Sequence, residues 1–335
     1  MRRLTFFIPG LFGSGNAYPE DFPNAPALHW FVHKGRYRSV RRNSFSNSLC
    51  ELFGLSENDE YDQPIASISR LIDSNQHPGG IWLRVDPVHV RADGNHLKLV
   101  DSSQFTLTQH DALELGAEIN NLLEPYSLEL EIPCPTRWYL KFDNDYHLKT
   151  KPIDSVIGQN ILPFMPVGDN TVNFDQLMND IQMTLHNLPI NIKREEEKKL
   201  PINSVWLWGY GELPDILNRN WSTVFSNEIL SEGLSMLSAT PFSNLPQGFN
   251  DIKDKKSEYI NLIVINDFDK FRYYYEFNEW VEILMHYEIN WFTPIFEALK
   301  TKEIDEINIE TDINSICINQ NTKYNFWKRK KRFIS

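Results

Sequence analysis

Three short apolar runs, each followed by residues typical of a loop, most constrain what this chain of 335 residues can fold into. They cover residues 4–8, 205–208 and 259–265. Strands that are apolar on both faces are typical of a parallel sheet covered by helices. We therefore predict an α/β fold in which these three strands lie side by side in a mostly parallel sheet. Ligands of such sheets bind at the carboxyl ends of the strands, where the loops begin.

The stretch between the first and second runs has a different pattern, in which short strands alternate with helices. Residues 81–92 and 96–100 flank Asp93-Gly94, a pair that favours a hairpin turn. Thr108 is placed to cap a helix that carries an apolar stripe. Such a mixture of strands and helices is typical of a small α+β module.

These patterns predict a discontinuous chain organisation. A helix over residues 174–188 closes the module, and the charged run at residues 193–199 is expected to be a solvated connection. The predicted parts are a core domain of residues 1–78 and 200–325, an inserted α+β domain of residues 79–199, and a basic tail of residues 326–335.

Composition limits the compartment and the partners. A formal net charge of −12 disfavours nucleic acid and anionic membranes, so such contacts would need a local basic patch. The tail could supply one for RNA or an acidic partner, or it could be solvated and clipped onto the surface. No apolar run approaches the ~20 residues of a spanning helix. Three dispersed cysteines favour the reducing cytoplasm.

Several segments resemble a known family in their order and spacing. Residues 186–191, Leu200-Pro201 and residues 206–214 resemble the archaeal-type cofactor-independent phosphoglycerate mutases of the alkaline-phosphatase superfamily. Residues 237–241 resemble the strand and turn that follow in that family, and residues 82–93 resemble a bacterial branch, the RpfE-type regulatory proteins. The resemblance implies an alkaline-phosphatase-like core with an inserted domain.

The resemblance also implies a two-metal site, from which this chain departs. The family places a metal-binding aspartate at the position of Pro9, and proline cannot bind a metal. It places histidines at the positions of Tyr273 and Ile313. Asp269 and Asp312 remain as carboxylates, and two carboxylates make a poor site for two divalent ions. No metal and no cofactor are therefore expected.

The nucleophile position implied by the family is also changed. The family has a Ser or Thr shortly before a turn that corresponds to residues 52–54 here. Aligning on that turn puts Asn47 at the nucleophile position, with Ser46 and Ser48 on either side. A shift of one residue would restore a hydroxyl. Pro9, Asn47, Ser48, Asp269 and Asp312 thus make up a predicted vestigial pocket, without a confident catalytic residue.

A second polar cluster could bind an anion instead. Arg84, Asp86, His89 and Arg91 lie on one predicted strand, where two guanidinium groups on one face could receive a carboxylate or phosphate. The alternative is an internal ladder of ion pairs. Gly209 and Gly211 allow a close backbone approach to such an anion, or they form an ordinary tight turn.

Two hypotheses about function follow. The first is a catalytically degenerate mutase-like protein with a binding or regulatory role and an anion-binding cleft. The second is an active metal-dependent phosphotransferase whose ligands come from other positions. The expected partners are a phosphorylated or carboxylated small molecule and an unidentified protein, and neither membrane nor nucleic acid is expected.

Overall fold

A computed structural model describes residues 1–13, 23–55, 63–77, 79–168, 174–252, 258–274 and 276–322. The chain divides into a first unit of residues 1–45 and 218–335 and a second unit of residues 46–217. Sequence patterns had placed the boundaries after residues 78 and 199, so the second unit takes in more of the chain on both sides. The predicted basic tail, residues 326–335, lies outside the described residues.

The strands and helices of the described residues are numbered in chain order. The strands are β1 (Arg2–Phe7), β2 (Arg36–Ser39), β3 (Ile81–Asp93), β4 (His96–Val100), β5 (Leu130–Cys134), β6 (Arg137–Phe142), β7 (Ser204–Glu212), β8 (Thr223–Phe225), β9 (Phe242–Ser243), β10 (Tyr259–Val264), β11 (Glu306–Glu310) and β12 (Asn314–Asn319). The helices are α1 (Pro26–Lys34), α2 (Phe45–Leu52), α3 (Ile65–Asp73), α4 (Gln109–Leu123), α5 (Ile153–Val156), α6 (Phe174–His186), α7 (Pro189–Glu196), α8 (Ile229–Leu237), α9 (Phe249–Ile252), α10 (Phe277–Tyr287) and α11 (Thr293–Lys300).

The first unit is built on a mostly parallel sheet. Within the described residues its strand order is β2-β12-β11-β1-β10-β8-β9. Strand β1 pairs in parallel with both β10 and β11, and β8 continues the parallel part beyond β10. Among the described strands of this sheet, the antiparallel pairs are β11–β12 and β12–β2. The predicted α/β class, with helices flanking a mostly parallel sheet, is confirmed.

A long helical element packs in the core of this unit. Helices α10 and α11 are joined by a π-helical segment, Glu288–Phe292, which places the Glu288 side chain inside the unit at 2% exposure. Its carboxylate accepts hydrogen bonds from the backbone N–H groups of Ala27 and Leu28 at 2.7 and 3.1 Å. Glu288 thereby satisfies N–H groups at the start of α1 that have no partner within the helix.

The second unit is built on an antiparallel sheet. Strand β3 pairs with β4, β6 and β7, and β5 continues the sheet beyond β6. The predicted hairpin at Asp93-Gly94 is confirmed, and Thr108 caps α4 by accepting from the N–H of Asp111 at 3.1 Å. Helices α4 and α6 supply a shared apolar core with the sheet.

Strand β7 corrects the prediction for residues 205–208. This strand pairs antiparallel with β3 in the second unit and is not a member of the sheet that contains β1 and β10. Its side chains are buried on both faces, as the apolar run predicted, because α3 also packs against it. An apolar run indicates that a strand is buried on both faces. A covered antiparallel strand and a parallel strand are both buried in this way, so the run cannot distinguish them.

One further local prediction was wrong, and another holds with one exception. Residues 237–239 end helix α8 and do not form a strand. Residues 193–199 are exposed as expected, except that α7 extends to Glu196 and buries Arg194. Arg194 donates to the carbonyls of Leu200 and Thr106 at 2.8 and 3.0 Å, which is why a residue in a charged run is drawn inside. Among the described residues, no helix is both long enough and apolar enough to span a bilayer.

Candidate functional site

The loop after β1 lies close against the loop after β10. Gly10 has φ +72°, and a Cβ atom there would overlap the carbonyl oxygen of Phe268, in the loop after β10. Only glycine combines this left-handed conformation with so close an approach. The N–H of Gly10 donates to Oδ1 of Asp312 at 3.0 Å. The structure thus brings the Pro9-Gly10 loop, Asp269 and Asp312 together at the carboxyl ends of β1, β10 and β11.

An arginine bridges the two carboxylates at this edge. Arg272 Nη1 lies 2.8 Å from Oδ1 of Asp269, and its Nε lies 3.9 Å from Oδ2 of Asp312. The three side chains are 12–15% exposed. We call this the Asp269–Arg272–Asp312 cluster. Sequence reasoning missed Arg272 because it searched for metal ligands. The available signal was its spacing of three residues from Asp269, which favours an ion pair within one helical turn.

The guanidinium of Arg272 is fixed from several sides. Its Nη2 donates to the carbonyl oxygen of Asn43 at 3.0 Å, and its Cζ lies 5.1 Å from the ring centroid of Tyr273. Burial lowers the pKa of Arg272, but the charges of Asp269 and Asp312 outweigh burial and raise it above the ordinary value. Arg272 is therefore a permanent cation at this position.

A second arginine lies at the same edge without touching either aspartate side chain. Arg42 donates to the carbonyl of Thr311 at 2.7 Å and to the carboxylate of Glu310 at 2.8 Å. Its own backbone N–H donates to the carbonyl of Asp312 at 2.8 Å. These bonds hold the loop after β11 in place and so fix the position of the Asp312 carboxylate.

The residues of the cluster do not fit a two-metal centre. The two carboxylates are already engaged by Arg272 and by the N–H of Gly10. Pro9, Tyr273 and Ile313 offer no carboxylate or imidazole. Across the described ranges, no group of three or more His, Cys, Asp or Glu side chains is arranged to hold a metal ion.

The predicted nucleophile region belongs to helix α2. Asn47 and Ser48 lie in the second unit, so they are described apart from the cluster of the first unit. Ser46 donates from its hydroxyl and its backbone N–H to Oδ2 of Asp154, at 2.6 and 2.8 Å. Both N–H and hydroxyl at the first turn of a helix are thus satisfied by a buried carboxylate, which is a capping arrangement.

The second polar cluster is an internal network centred on Arg84 and Asp86. Arg84 donates from Nε and Nη2 to the two oxygens of Asp86 at 2.8 and 2.6 Å. Trp208 Nε1 donates to Asp86 at 2.9 Å, and Arg84 Nη1 donates to Ser69 at 3.3 Å. Tyr139 also donates to Ser69, at 3.1 Å. We call this the Arg84–Asp86 network.

The predicted anion-binding residues do not converge. Arg84 is 6% exposed, whereas Arg91 is exposed, and seven residues of extended strand separate their backbones by roughly 23 Å. His89 donates from Nδ1 to the carbonyl of Pro201 at 2.9 Å. Asp86 already accepts two hydrogen bonds from the guanidinium of Arg84. The geometry favours the ion-pair alternative for this strand.

Gly209 and Gly211 serve packing between α3 and β7. Gly209 has φ +69°, and a Cβ atom there would lie 3.0 Å from Cβ of Ile65. Its N–H donates to Oγ1 of Thr150 at 3.1 Å. The carbonyl of Gly211 accepts from the hydroxyl of Ser67. Both glycines lie within β7, so neither the loop nor the tight turn predicted for them is present.

Comparison with known proteins supports this fold. No family model matches the chain. It is 43% identical over 63 residues to a probable 2,3-bisphosphoglycerate-independent phosphoglycerate mutase of Geobacter sulfurreducens, a match covering 19% of this chain and 16% of the relative. It is 33% identical over 140 residues to the corresponding mutase of Methanosarcina acetivorans, covering 40% of this chain and 35% of the relative. The matches thus span well under half of the relatives' lengths.

Solved structures resemble the whole chain more evenly. The PH0037 protein from Pyrococcus horikoshii aligns with a TM-score of 0.53 at 12% identity, over 98% of this chain and 90% of that protein. A cofactor-independent phosphoglycerate mutase from Thermoplasma acidophilum aligns with a TM-score of 0.48 at 13% identity, over 98% and 92%. The chain is thus similar over part of its length to cofactor-independent phosphoglycerate mutases, and its fold resembles that of the PH0037 protein.

Proposed function

We propose that this chain is a catalytically degenerate phosphoglycerate-mutase-like protein that acts by binding or regulation, as its resemblance to bacterial RpfE-type regulatory proteins implies. The observation that carries the proposal is the guanidinium of Arg272 between Asp269 and Asp312. A fixed positive charge there neutralises the carboxylates that would otherwise attract a divalent cation, and it repels such a cation directly.

The neighbouring substitutions support the same conclusion. Tyr273, at a position where the resemblance implies a histidine, stacks against Arg272 instead of offering a nitrogen ligand. Pro9 replaces a metal-binding aspartate, and the adjacent Gly10 N–H takes up one oxygen of Asp312. Two-metal phosphoryl transfer depends on cations that bridge the phosphate oxygens and neutralise developing charge. Arg272 supplies a positive charge at this place, but it offers no metal coordination position to a phosphate oxygen.

Metal binding and turnover test the proposal. We expect the purified protein to bind neither manganese nor zinc in stoichiometric amounts, and to leave 2- and 3-phosphoglycerate unchanged. Equilibrium dialysis with elemental analysis and a coupled mutase assay measure the two quantities. Stoichiometric metal together with turnover would instead establish the competing hypothesis, an active phosphotransferase with ligands recruited from other positions.

An arginine variant sharpens the test. Arg272→Ala removes the positive charge from beside Asp269 and Asp312, so we expect this variant to gain weak, saturable manganese binding. Arg38→Ala removes an exposed arginine of β2 in the same unit and is the matched control, for which no such gain is expected. If Arg272→Ala binds no more manganese than Arg38→Ala, the guanidinium does not stand in for a metal.

The compartment and the partners are also part of the proposal. The free cysteines Cys50, Cys134 and Cys317 are consistent with a reducing cytoplasm. A regulatory role requires a protein partner, a small-molecule ligand, or both. A phosphorylated or carboxylated metabolite is the expected ligand.

A further inference from the structure

An open cavity of about 380 Å³ lies in the second unit and shares no lining residue with the Arg84–Asp86 network. Its volume falls within the range of small-molecule sites. It lies beside the segment between α3 and β3 and beside β5 and β6. Its walls include two cations, Arg70 and Lys141, and two carboxylates, Glu131 and Asp143, together with His77 and Trp82.

The guanidinium of Arg70 is pre-organised at the wall of this cavity. Arg70 is 6% exposed, and it donates from Nε and Nη2 to the carboxylate of Glu131 at 2.8 and 3.1 Å. Its Cζ lies 3.7 Å from the ring centroid of Trp82, a stacked cation–π arrangement. Nη1 makes no hydrogen bond to any described residue, so its N–H groups are available to a ligand. A guanidinium whose orientation is fixed in advance loses little entropy on binding an oxoanion.

A second cation lies on the same indole ring. The ammonium of Lys141 is 5.9 Å from the ring centroid of Trp82, and the described residues place no carboxylate within ion-pair distance of it. Gly80 has φ +90°, and a Cβ atom there would lie 3.3 Å from Cε of Lys141. Glycine therefore leaves the lysine stem room to lie along the wall.

We propose that this cavity binds a small oxoanion, the carboxylate or phosphate group of a metabolite, between Nη1 of Arg70 and the ammonium of Lys141. Bidentate pairing with Arg70 compensates the charge of Glu131. The carboxylate of Glu131 therefore orients the guanidinium of Arg70 and repels an anionic ligand only weakly. His77 lies on the exposed rim, where its ring can donate to the same anion. The proposal rests on the proposed function for the class of ligand and gives that ligand a site, and it does not depend on the Asp269–Arg272–Asp312 cluster.

Titration of the full chain with glycerate and, separately, with inorganic phosphate tests the proposal. The indole N–H of Trp82 donates to the carbonyl of Gly79 at 3.2 Å, inside the cavity wall, so its signal in protein labelled with ¹⁵N-tryptophan reports on the site. Trp82→Phe assigns that signal. We expect a saturable shift with at least one of the two anions, and the anion that produces it identifies the group recognised.

Matched variants decide whether the cavity is responsible. Lys141→Gln should weaken binding at least about tenfold, since a charge-assisted contact is lost. Lys193→Gln removes an exposed lysine of α7 in the same unit, outside the cavity, and should bind as the unaltered protein does. Arg70→Lys keeps the charge but loses the planar fork, and it should also weaken binding if circular dichroism shows an intact fold.

Two results would overturn the proposal. One is that neither anion shifts the Trp82 signal more than sodium chloride does at the same ionic strength. The other is that Lys141→Gln binds as tightly as Lys193→Gln. The Arg272→Ala variant should bind the anion normally, so failure here is distinguishable from failure of the proposed function.

Discussion

The two units each hold an arginine against carboxylates, but at different places in their sheets. In the first unit, Arg272 lies beside Asp269 and Asp312, which come from the segments that follow β10 and β11. In the second unit, Arg84 and Asp86 belong to one strand and are covered by α3 and β7. The same ion-pair chemistry therefore lies at the carboxyl edge of a parallel sheet in one unit and inside a packed layer in the other.

This difference teaches that the location of an ion pair, more than its geometry, indicates its role. Loop residues at the carboxyl edge of a parallel sheet can rearrange and admit a different cation. Residues on a covered strand cannot, because their backbones are fixed by neighbours on both sides. Loss of the arginine should consequently have different effects in the two units.

The largest expected effect is that of Arg84→Ala. This change leaves Asp86 buried without its partner, and breaking such a buried pair typically costs about 3–5 kcal/mol of unfolding free energy. Arg272→Ala should cost less, about 1–3 kcal/mol, because Asp269 and Asp312 are 13% and 15% exposed, against 8% for Asp86, and can be partly hydrated. Urea unfolding followed by tryptophan fluorescence measures both values.

The double variant Arg84→Met/Asp86→Leu provides the control for that comparison. Replacing both charges by apolar side chains removes the unpaired charge, so most of the lost stability should return. Equal losses for Arg84→Ala and Arg272→Ala would contradict the distinction between the two clusters.

Substitution of one glycine in each unit should have an effect of intermediate size on the free energy of unfolding. Gly10→Ala forces a Cβ atom against a backbone carbonyl at φ +72°, so we expect a loss of about 2–3 kcal/mol. Gly209→Ala has a similar φ of +69°, but its Cβ atom would lie 3.0 Å from Cβ of Ile65 and 3.2 Å from the nitrogen of Ala66, a looser contact than the overlap at Gly10. Its loss should be smaller, and thermal unfolding of the two variants ranks them. A larger loss for Gly209→Ala would show that the loop after β1 is the more adaptable of the two sites.

The smallest expected effect is a pH dependence from His89. Burial of the ring lowers its pKa, although the bond to the carbonyl of Pro201 opposes this. The unfolded chain, with a histidine pKa of about 6.5, therefore binds more protons than the folded one at lower pH. His89 should therefore lower stability as pH falls below about 6.5.

Urea midpoints of the unaltered protein and of His89→Gln between pH 8 and pH 5.5 isolate this contribution. The two curves should be parallel above pH 7 and diverge below about 6.5. Burial also lowers the pKa of His29 in the first unit. The same urea measurement on His29→Gln therefore gives the corresponding contribution of that unit. Parallel curves over the whole range would exclude a contribution from His89.

Local features of the fold were predictable from the sequence. Thr108 capped α4 as expected, and Asp93-Gly94 turned the β3–β4 hairpin, because each signal acts over a few residues. Strand β1 was also recognisable from its apolar run. The partner of β7 was not, since pairing depends on contacts with β3 more than a hundred residues away in sequence.

The candidate site was predictable only in outline. The loops after β1 and β10 were expected to meet, and Asp269 and Asp312 do lie at the same edge. Arg272 could not be assigned, because a search for metal ligands discards cations. Arg84 and Asp86 were correctly placed on one face by their spacing of two residues, but spacing could not decide between pairing with each other and binding an anion.

The bond between Asp269 and Arg272 has a consequence for how this protein responds to its surroundings. A metal ion is held in proportion to its free concentration, whereas a side chain three residues away is present at a fixed local concentration. On the proposed function, chelation or metal starvation cannot empty this position. The loops after β1, β10 and β11 would keep one arrangement under conditions in which a metal-dependent relative would lose its own.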